Sequence, residues 1–521
     1  MKRKLLYLLF FVSFFQIVAS QNVSLDTSFG SGGVVINSVS EYYDTIFDFE
    51  FQSNGKIVCI STFNDNGNNN NIVLTRYSSE GILDVSFGIN GFVYTSLYSD
   101  FPMNSFKIQS DDKILVAGVN TEFENQIAVT RYNANGFLDT SFGNNGVVQQ
   151  FSNFFDISLD LQNDSKILFA GTYLGFSSRD FGIVRLNYDG SYDDSFGDSG
   201  MTICNIGITS DNSDSDDVVY GIKYLQDGDI VVSGYTTNIG SGIDTDLALI
   251  KLNSGGTLKT SFGNNGKIID DFGGAEYFVS IATDSNNNIY AGGQSVISAF
   301  PDNIYKIAIG KYNINGDLDA SFGSQGKIVT TSAIGTFMSI SRIVIDENEK
   351  IICAGFEYNQ NTYKSDMLLL KYDSNGVLDI TFDSDGIYKK DFNNSSEILS
   401  TLKIKSDGKI LCGGSIVIDS ALVQFVVDNL SASQFSKSQF SVSPNPFTTS
   451  INLTFSLTKN ENLTIDLVDA NGRVIQNLSE EKAFSSGNNS LNLDLPETLS
   501  KGIYFLKIND GFENNTIKII K

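Results

Sequence analysis

Alternation of apolar and polar residues between 156 and 206 predicts a group of four short strands. The letters DISLDL, at 156–161, alternate with the period of two that a half-buried strand requires. A turn at NDS leads to the apolar run KILFAG, and a variable loop leads to a third run, FGIVRLN. After the segment DGSYDDSFGDSG, the residues at 201–206 predict a fourth strand.

That last segment belongs to a phrase that recurs along the chain, as in GFLDTSFGNNG at 136–146. Its Phe occurs seven times at intervals of 54 to 66 residues, and a Gly always follows four residues later. A fixed period of this size indicates a repeat architecture. The positions are Phe29, Phe87, Phe142, Phe196, Phe262, Phe322 and Phe382, with Gly33, Gly91, Gly146, Gly200, Gly266, Gly326 and Gly386.

The repeated unit predicts an all-β fold, a seven-bladed β-propeller. No copy shows a helical period, and four antiparallel strands repeated around an axis form propeller blades. The first phrase precedes any complete unit, and the last unit lacks a fourth strand. Residues 33–36 are therefore predicted to pair with the strand at 424–427, which would close the ring without an exposed edge.

The phrase itself is interpreted as a structural corner between blades. Gly permits positive φ, Asn and Asp fold onto their own backbone, and Leu and Phe anchor the loop. Six copies have Asp three residues before the Phe, whereas Lys259 stands there in one copy. Closely spaced Asp, Asn and Gly also build calcium loops, but the spacing here matches no EF-hand.

The acidic loop DNSDSDD at 211–217 is a second calcium candidate. A solvated loop is the simpler interpretation, and calcium is the one cofactor that the sequence suggests. The candidate ligands are Asp211, Asp214, Asp216 and Asp217.

The two ends of the predicted ring differ in their sequence variation. Because the strands alternate in direction, the 1–2 turns and the phrase lie at one end, and the 2–3 and 4–1 loops at the other. We call these the constant end and the variable end, since loops such as TFNDNGNNNN and FEYNQNTYKS differ between copies. Variable loops on a rigid scaffold usually carry function, so a glycan or protein ligand is expected there.

Composition narrows the possible chemistry. The 521 residues include no His and no Trp, and the formal net charge is −25. Without imidazole, serine triads and most zinc sites are excluded, and catalysis would depend on carboxylates, Lys, Tyr or calcium. A hydrolase or lyase at the central channel would use acids such as Asp48, Asp156 and Asp160, among which the sequence singles out no pair. Such an enzyme is the alternative to a binding protein. The negative charge argues against nucleic acid and anionic lipid as partners, and a monomer is expected.

The four cysteines are predicted to be buried and reduced. Cys59, Cys353 and Cys412 occupy one repeat position, where other copies have Val or Phe. A position that exchanges Cys for Val or Phe is a packing position, so a disulfide is not expected for these or for Cys204.

Residues 1–20 predict a secretory signal peptide. Three basic residues at 2–4 precede an apolar run at 5–15, and small residues at 18–20 follow. The apolar run is too short to span a bilayer. Cleavage after Ser20 would remove three positive charges and change the net charge from −25 to −28.

The segments DKILVAG and VTRYNANGFLDTSFGNNGVV resemble the delta-60 repeat family. Its members are β-propeller-like exported bacterial proteins of unsettled function. The resemblance extends over about residues 22–430, within a propeller domain assigned to 21–430, and it implies no catalytic residues.

After a polar linker at 431–439, residues 440–521 show a different pattern of short alternating strands, which predicts a small Ig-like β-sandwich. This tail resembles the C-terminal sorting domain of the type IX secretion system of Bacteroidota. The resemblance implies passage through the periplasm, recognition by the secretion machinery, and removal of the tail with surface attachment or release of the remainder. An ordinary Ig-like adhesive module is the alternative. The matching residues are Pro444, Asn445, Pro446, Asp469, Gly472, Gly502 and Tyr504.

Overall fold

The structure is a computed structural model that describes most of the chain from residue 21 to residue 521. It omits 65–69, 99–105, 121–125, 152, 176–177, 208–214, 239–243, 298–303, 333–334, 430–439, 458–460, 470–472, 497 and 510–513. The predicted signal peptide and linker therefore lie outside the described residues. No helix in the described residues is long and apolar enough to cross a membrane. Two compact units are present, a repeat domain over Val23–Val427 and a tail domain that contains Asp428–Lys521.

The repeat domain consists of antiparallel strands. Two short strands come first, β1 (Gln21–Leu25) and β2 (Val34–Asn37). The first unit contains β3 (Thr45–Phe51), β4 (Ile57–Asn64), β5 (Asn70–Tyr77) and β6 (Phe92–Tyr98), and the second β7 (Phe106–Ile108), β8 (Ile114–Asn120), β9 (Gln126–Tyr132) and β10 (Val147–Phe151). The third contains β11 (Phe154–Leu161), β12 (Ile167–Leu174), β13 (Arg179–Leu186) and β14 (Met201–Cys204), and the fourth β15 (Asp217–Tyr224), β16 (Ile230–Asn238), β17 (Asp244–Leu252) and β18 (Lys267–Asp270). The fifth contains β19 (Ala275–Thr283), β20 (Ile289–Ile297), β21 (Ile304–Tyr312) and β22 (Lys327–Thr331), the sixth β23 (Thr336–Ile345), β24 (Ile351–Asn359), β25 (Lys364–Tyr372) and β26 (Ile387–Lys390), and the seventh β27 (Glu397–Ile404), β28 (Ile410–Ile416) and β29 (Asp419–Asn429).

The sheets follow these units. The third to sixth units each form a separate four-stranded sheet in chain order. Pairing of β6 with β8 joins the first and second units into an eight-stranded sheet, and the seventh unit forms a sheet with β1 and β2. The first strands of successive units contact one another, and β27 also contacts β3, so these strands surround a common axis. Six of the seven carry a register shift typical of a β-bulge, as at Asp156–Ile157 between the paired residues Phe155 and Ser158.

The chain closes on itself through β2 and β29. Val34 to Asn37 pair with Ser420 to Val423, rather than with 424–427 as predicted. The partner strand is the predicted one, but its register is not, because the strand β1, which the sequence pattern does not reveal, also pairs along β29. Two side-chain bonds join the seventh unit to the first: Thr401 of β27 donates to Asp48 of β3 at 3.0 Å, and Lys403 donates to Glu50 at 2.9 Å.

Apolar second and third strands form cores between neighbouring units. Leu115 of β8 belongs to one buried cluster with Phe169 of β12 and Val184 of β13. Strands covered on both faces are apolar throughout, which explains runs such as KILFAG. All four cysteines are buried free thiols, which confirms the prediction. Cys59, Cys353 and Cys412 lie in second strands, and Cys204 ends the fourth strand of its unit. Burial raises the pKa of Cys204 to about 11.

The tail domain is a sandwich of two antiparallel sheets, as predicted. Apolar residues from both sheets, among them Leu453, Ile465 and Leu506, form one buried cluster. The sheet orders are β30-β31-β34 and β33-β32-β35-β36. The strands are β30 (Ser441–Ser443), β31 (Ser450–Leu457), β32 (Glu461–Val468), β33 (Val474–Phe484), β34 (Gly487–Asp494), β35 (Ile503–Asn509) and β36 (Asn514–Ile520).

Candidate functional site

Six of the repeated phrases form corners that pack against a cation from the third strand, whereas at the first phrase Gln424 takes that place and donates to Asp26. In the second unit, Arg131 Nε donates to Asp139 Oδ2 at 2.7 Å, and the guanidinium lies 4.5 Å from the centre of the Phe142 ring. Asp139 Oδ1 accepts bonds from the backbone N–H and the hydroxyl of Ser141. Charge-assisted bonds and cation–π contact together fix this turn.

The phrase also joins each unit to the next. The N–H of Gly143 donates to the carbonyl of Asp189, in the following unit, at 2.8 Å. The same bond occurs at six described corners. The pairs are Gly30–Glu80, Gly88–Asn135, Gly143–Asp189, Gly197–Gly255, Gly263–Asn315 and Gly323–Asn375.

The repeated Phe and Gly residues occupy equivalent places in all seven copies. Every phrase Phe is at most 1% exposed. Every following Gly has φ between 87° and 99°, a conformation that other residues rarely adopt. At Gly146 a Cβ would in addition lie 2.6 Å from Leu138. The phrase is thus fully used in building the constant end. The residues are Phe29, Phe87, Phe142, Phe196, Phe262, Phe322 and Phe382, and Gly33, Gly91, Gly146, Gly200, Gly266, Gly326 and Gly386.

One corner reverses the charges of its ion pair. In the third unit, Lys166 at the start of the second strand contacts the phrase residue Asp193 at 2.6 Å. In the fourth unit these positions hold Asp229 and Lys259, which also form an ion pair. The Lys in one phrase therefore preserves the interaction with opposite signs.

Charged side chains line the centre of the repeat domain near its constant end. Lys107 lies 3.5 Å from Glu50 and 3.9 Å from Asp160, and Lys403 lies 2.9 Å from the same glutamate. Asp160 also accepts the N–H of Tyr224 at 2.7 Å. These acids are committed to structural pairs between units.

Asp48 is likewise held in contacts between units. It is 2% exposed, lies 3.4 Å from Arg342, and accepts the Thr401 hydroxyl. Burial alone would raise the pKa of Asp48, but the positive charges of Arg342 and Lys403 outweigh it and hold that pKa below its usual value. An ionised, paired carboxylate of this kind is a poor proton donor.

Three tyrosines from two units meet at the variable end. The ring centres of Tyr220 and Tyr235 are 5.5 Å apart, and those of Tyr235 and Tyr277 are 6.1 Å apart. Tyr277 is 37% exposed, and the other two are partly exposed. The cluster is therefore partly open to solvent.

Asp156 of the third unit is close enough to this cluster for its charge to act on two of the tyrosines. Burial is the main cause of the raised pKa values of Tyr220 and Tyr235, and the negative charge of Asp156 raises both further. Burial raises the pKa of Asp156 itself, while Thr172 and Arg179 oppose that shift. We call Asp156, Arg179 and the three tyrosines the tyrosine site.

A second aromatic cluster lies at the variable end, between the fifth and sixth units. The rings of Tyr305 and Phe337 stack with centres 4.7 Å apart, and Phe356 and Tyr358 lie within 5.9 Å and 5.0 Å of Phe337.

The predicted calcium loop is only partly described. Asp211 and Asp214 lie outside the described residues. Asp216 accepts the backbone N–H of Arg179 at 3.1 Å. Asp217 accepts bonds from the Ile206 N–H and the Ser215 hydroxyl, and burial raises its pKa to about 6.

Two other groups of acids in the described residues have the geometry of a metal site. In each group, three carboxylate oxygens lie within 4.8 Å of one another. The groups are Asp246, Asp271 and Glu276, and Asp366, Asp391 and Glu397.

The predicted tail residues connect the start and end of the tail domain. Asn445, between the exposed Pro444 and Pro446, accepts the Ile520 N–H and donates to the Lys518 carbonyl. Gly502 and Lys521 exchange backbone bonds, and the Tyr504 hydroxyl donates to Ser500. Asp469 accepts the N–H of Arg473 at 2.9 Å, while Gly472 lies outside the described residues.

These observations define an all-β propeller with a separate C-terminal sandwich. The tail matches the family described as the secretion system C-terminal sorting domain, over residues 441–521. The repeat domain matches a β-propeller domain of unknown function, DUF5122, over 52–87, 109–142, 162–196 and 225–262. The chain thus contains a DUF5122 β-propeller and a type IX sorting domain, which indicates export to the cell surface or the extracellular space.

No curated protein matches this chain. Among solved structures it is similar to polysaccharide lyase Uly1, with 9% identity, a TM-score of 0.36, and coverage of 75% of this chain and 89% of that one. It is also similar to Drosophila Plexin A in complex with Semaphorin 1b, with 10% identity, a TM-score of 0.38, and coverage of 76% and 86%. It is also similar to an α-L-arabinofuranosidase, Arb93A from Fusarium graminearum, with 9% identity, a TM-score of 0.36, and coverage of 78% of this chain and 97% of that one. Similarities at this level leave the ligand open.

The sequence patterns did not identify the tyrosine site or the two acidic groups. Their members come from different strands and units, so no local motif joins them. An alignment of the seven units would have shown that Tyr220 occupies the bulge of its first strand, whereas Ser400 occupies that place in the seventh unit.

Proposed function

We propose that the repeat domain is an exported, non-enzymatic binding module and that its tyrosine site takes a glycan. The observation that carries this proposal is the cluster of Tyr220, Tyr235 and Tyr277 beside Asp156 at the variable end. Aromatic faces bind the apolar faces of sugar rings, while hydroxyl and carboxyl groups accept and donate hydrogen bonds that fix the orientation.

The charge of the protein restricts the class of glycan. A net charge of −25 repels polyanions over distances of about one Debye length, roughly 8 Å at physiological salt. Neutral or cationic polysaccharides are therefore favoured over sulfated or uronate polymers. Arg179 is the cation of the site, and its charge acts on the carboxyl group of Asp156.

Direct binding measurements test this function. Mature protein beginning at Gln21 would be titrated with neutral glucans, mannans and xylans, and with anionic alginate, by isothermal titration calorimetry. We expect Tyr277→Ala to weaken binding of a neutral polysaccharide at least about tenfold, since buried aromatic anchors dominate such contacts. Tyr42→Ala is the matched control, because Tyr42 is an exposed tyrosine in a 4–1 loop outside the site. Equal affinities for wild type and Tyr277→Ala would rule out the tyrosine site.

A carboxylate-dependent glycan-active enzyme is the second candidate, and the raised pKa of Asp156 favours it. Hydrolysis usually needs two carboxyl groups about 5–10 Å apart, however, and Asp48 and Asp160 are held in ion pairs. Reducing-end and unsaturated-product assays on every polysaccharide that binds would separate the two candidates. Cleavage that disappears in Asp156→Asn, with binding retained, would replace our proposal by the enzyme.

Removal of the tail at the outer membrane is also part of the proposal, with residues 440–521 as the address and 21–430 as the cargo. The independent buried core of the tail domain supports this division. A reporter carrying a signal peptide and residues 431–521 is expected to reach the surface of a type IX-competent bacterium. A chain ending at Asn429 is expected to remain in the periplasm, and its appearance at the surface would contradict the assignment.

A further inference from the structure

Carboxylates converge at two junctions between units of the repeat domain. At the first, Asp246 is the third residue of β17, Asp271 follows the end of β18, and Glu276 lies near the start of β19. All three offer oxygens within 4.8 Å of one another. Strand three, strand four and the next unit's first strand thus each supply one acid.

The junction between the sixth and seventh units repeats this arrangement. Asp366 is again the third residue of its strand, β25, Asp391 again follows the end of β26, and Glu397 begins β27. Two junctions with the same three positions and the same residue types indicate a built feature rather than a chance collection of surface acids.

Each group contains a fully buried glutamate with an unpartnered oxygen. Glu276 and Glu397 are both 0% exposed, and Oε2 of each has no hydrogen-bond partner in the described structure. The other oxygen of Glu397 accepts the Ser395 hydroxyl, and that of Glu276 accepts the Gly274 N–H. A buried carboxylate among other carboxylates is costly unless a cation pairs with it.

Nearby lysines do not fill this role. Lys327 donates to the Asp270 carboxylate and to the Asp271 backbone carbonyl. Lys389 forms its ion pair with Glu357 at 2.7 Å.

We infer that these two groups bind divalent cations of the calcium type, one at each junction. Calcium prefers six to eight oxygen ligands, which three carboxylates, some bidentate, together with water can supply. Extracellular modules bind calcium with a Kd of about 10⁻⁴ to 10⁻³ M, a range that suits an exported protein. Such ions would fasten the third and fourth strands of one unit to the first strand of the next.

A third junction provides a natural control. Between the third and fourth units the corresponding residues are Asp180, Asn205 and Asp217. Asn205 Nδ2 donates to Asp180 Oδ1 at 3.2 Å, and both oxygens of Asp217 accept hydrogen bonds. An amide therefore occupies the place of one carboxylate, and this junction is satisfied without a cation.

Calcium titration of the mature full chain tests the inference. After chelation, isothermal titration calorimetry with CaCl₂ alone is expected to give two ions per chain, and 5 mM calcium is expected to raise the melting temperature by at least about 2 °C. Asp271→Asn and Asp391→Asn, which copy the third junction, should each remove one ion, and the double variant should remove both. Asp407→Asn is the control, since it removes an exposed acid that belongs to neither group and to no other candidate calcium site.

Terbium luminescence keeps the test decisive if a variant folds poorly. The chain has no Trp, so tyrosine would sensitise bound Tb³⁺, and added calcium should quench that signal in the wild-type protein. No heat, no stabilisation and no terbium signal up to 10 mM cation would overturn the inference. Unchanged stoichiometry in the double variant would also overturn it, because the cations would then bind elsewhere.

Discussion

At the constant end of the repeat domain the same contacts recur from unit to unit, whereas at the variable end neighbouring units differ in most side chains. A phrase Phe lies under a strand-three cation in six units, at distances of 4.5 to 5.9 Å. The tyrosine site, in contrast, draws on only the third, fourth and fifth units. Repetition therefore marks structure here, and its loss marks the place where a ligand can be recognised.

At the constant end, the ion pair between a second strand and a phrase occurs with either order of charges. The pair Asp229–Lys259 has the opposite order of the pair Lys166–Asp193, yet both connect a second strand to a phrase. The ion pair is kept while its residues exchange. No such exchange is needed at the variable end, where strands are fixed by their backbone bonds and side chains are free to differ.

Deleting residues 21–38 is expected to have the largest effect on the protein, because it removes the strands that close the repeat domain and so affects both of its ends. Loss of β1 and β2 would expose the edge of β29 and promote self-association. Light scattering coupled to size-exclusion chromatography, with the chain beginning at Gln21 as control, would measure it. A monomeric product with an unchanged melting temperature would show that these strands do not close the domain, and our proposed count of seven blades would fail with it.

Truncating one aromatic ring at each end should separate stability from binding. Phe142→Ala is expected to lower the free energy of unfolding by about 3–5 kcal/mol, because the ring is fully buried beneath Arg131. Tyr277→Ala should cost less than about 1 kcal/mol, since its ring is partly exposed. Denaturant unfolding of both variants measures the difference. Similar losses at both positions would mean that the tyrosine cluster is a structural element.

The constant end could be predicted from the sequence because seven copies of one phrase report on a single environment. Their Phe and Gly positions showed which residues would be buried and which would need positive φ. The partner of the phrase Asp, a cation from strand three such as Arg131, was not identified. It belongs to the same unit, but only the folded turn brings the two side chains together.

The variable end could not be predicted in the same way. Tyr220 and Tyr277 belong to different units, and their approach depends on how two sheets pack. The two acidic groups could not be predicted for the same reason, since each combines residues from three strand ends. The acidic loop at 211–217 was a calcium candidate through its composition alone. Its described members, Asp216 and Asp217, already accept hydrogen bonds.

Reversing one ion pair tests whether charge order matters at the constant end. Lys259→Asp should destabilise the protein by about 1–3 kcal/mol, because it places two carboxylates together beside the buried Lys251. Adding Asp229→Lys should recover all but about 1 kcal/mol, since this restores the order found in the third unit. Chemical unfolding of the single and double variants measures the coupling. Additive losses in the double variant would show that the fourth unit requires its own order.

The smallest expected effect is a difference in the sign of pH dependence between the two ends. Hydrogen bonds from Ser321 and the charge of Lys311 hold the pKa of Asp319 below its usual value, whereas burial raises that of Asp156 against the opposing Arg179. The contribution of Asp319 is therefore present above the unfolded pKa of about 3.9 and is lost as pH falls through the folded pKa. That of Asp156 is present below about 3.9 and is lost as pH rises through its folded pKa. At pH 7, Asp319→Asn should lower the melting temperature by about 1–2 °C and Asp156→Asn should raise it by a similar amount, and both differences should shrink toward pH 4. Calorimetry at the two pH values measures these shifts, and shifts of the same sign would remove the electrostatic distinction between the constant end and the tyrosine site.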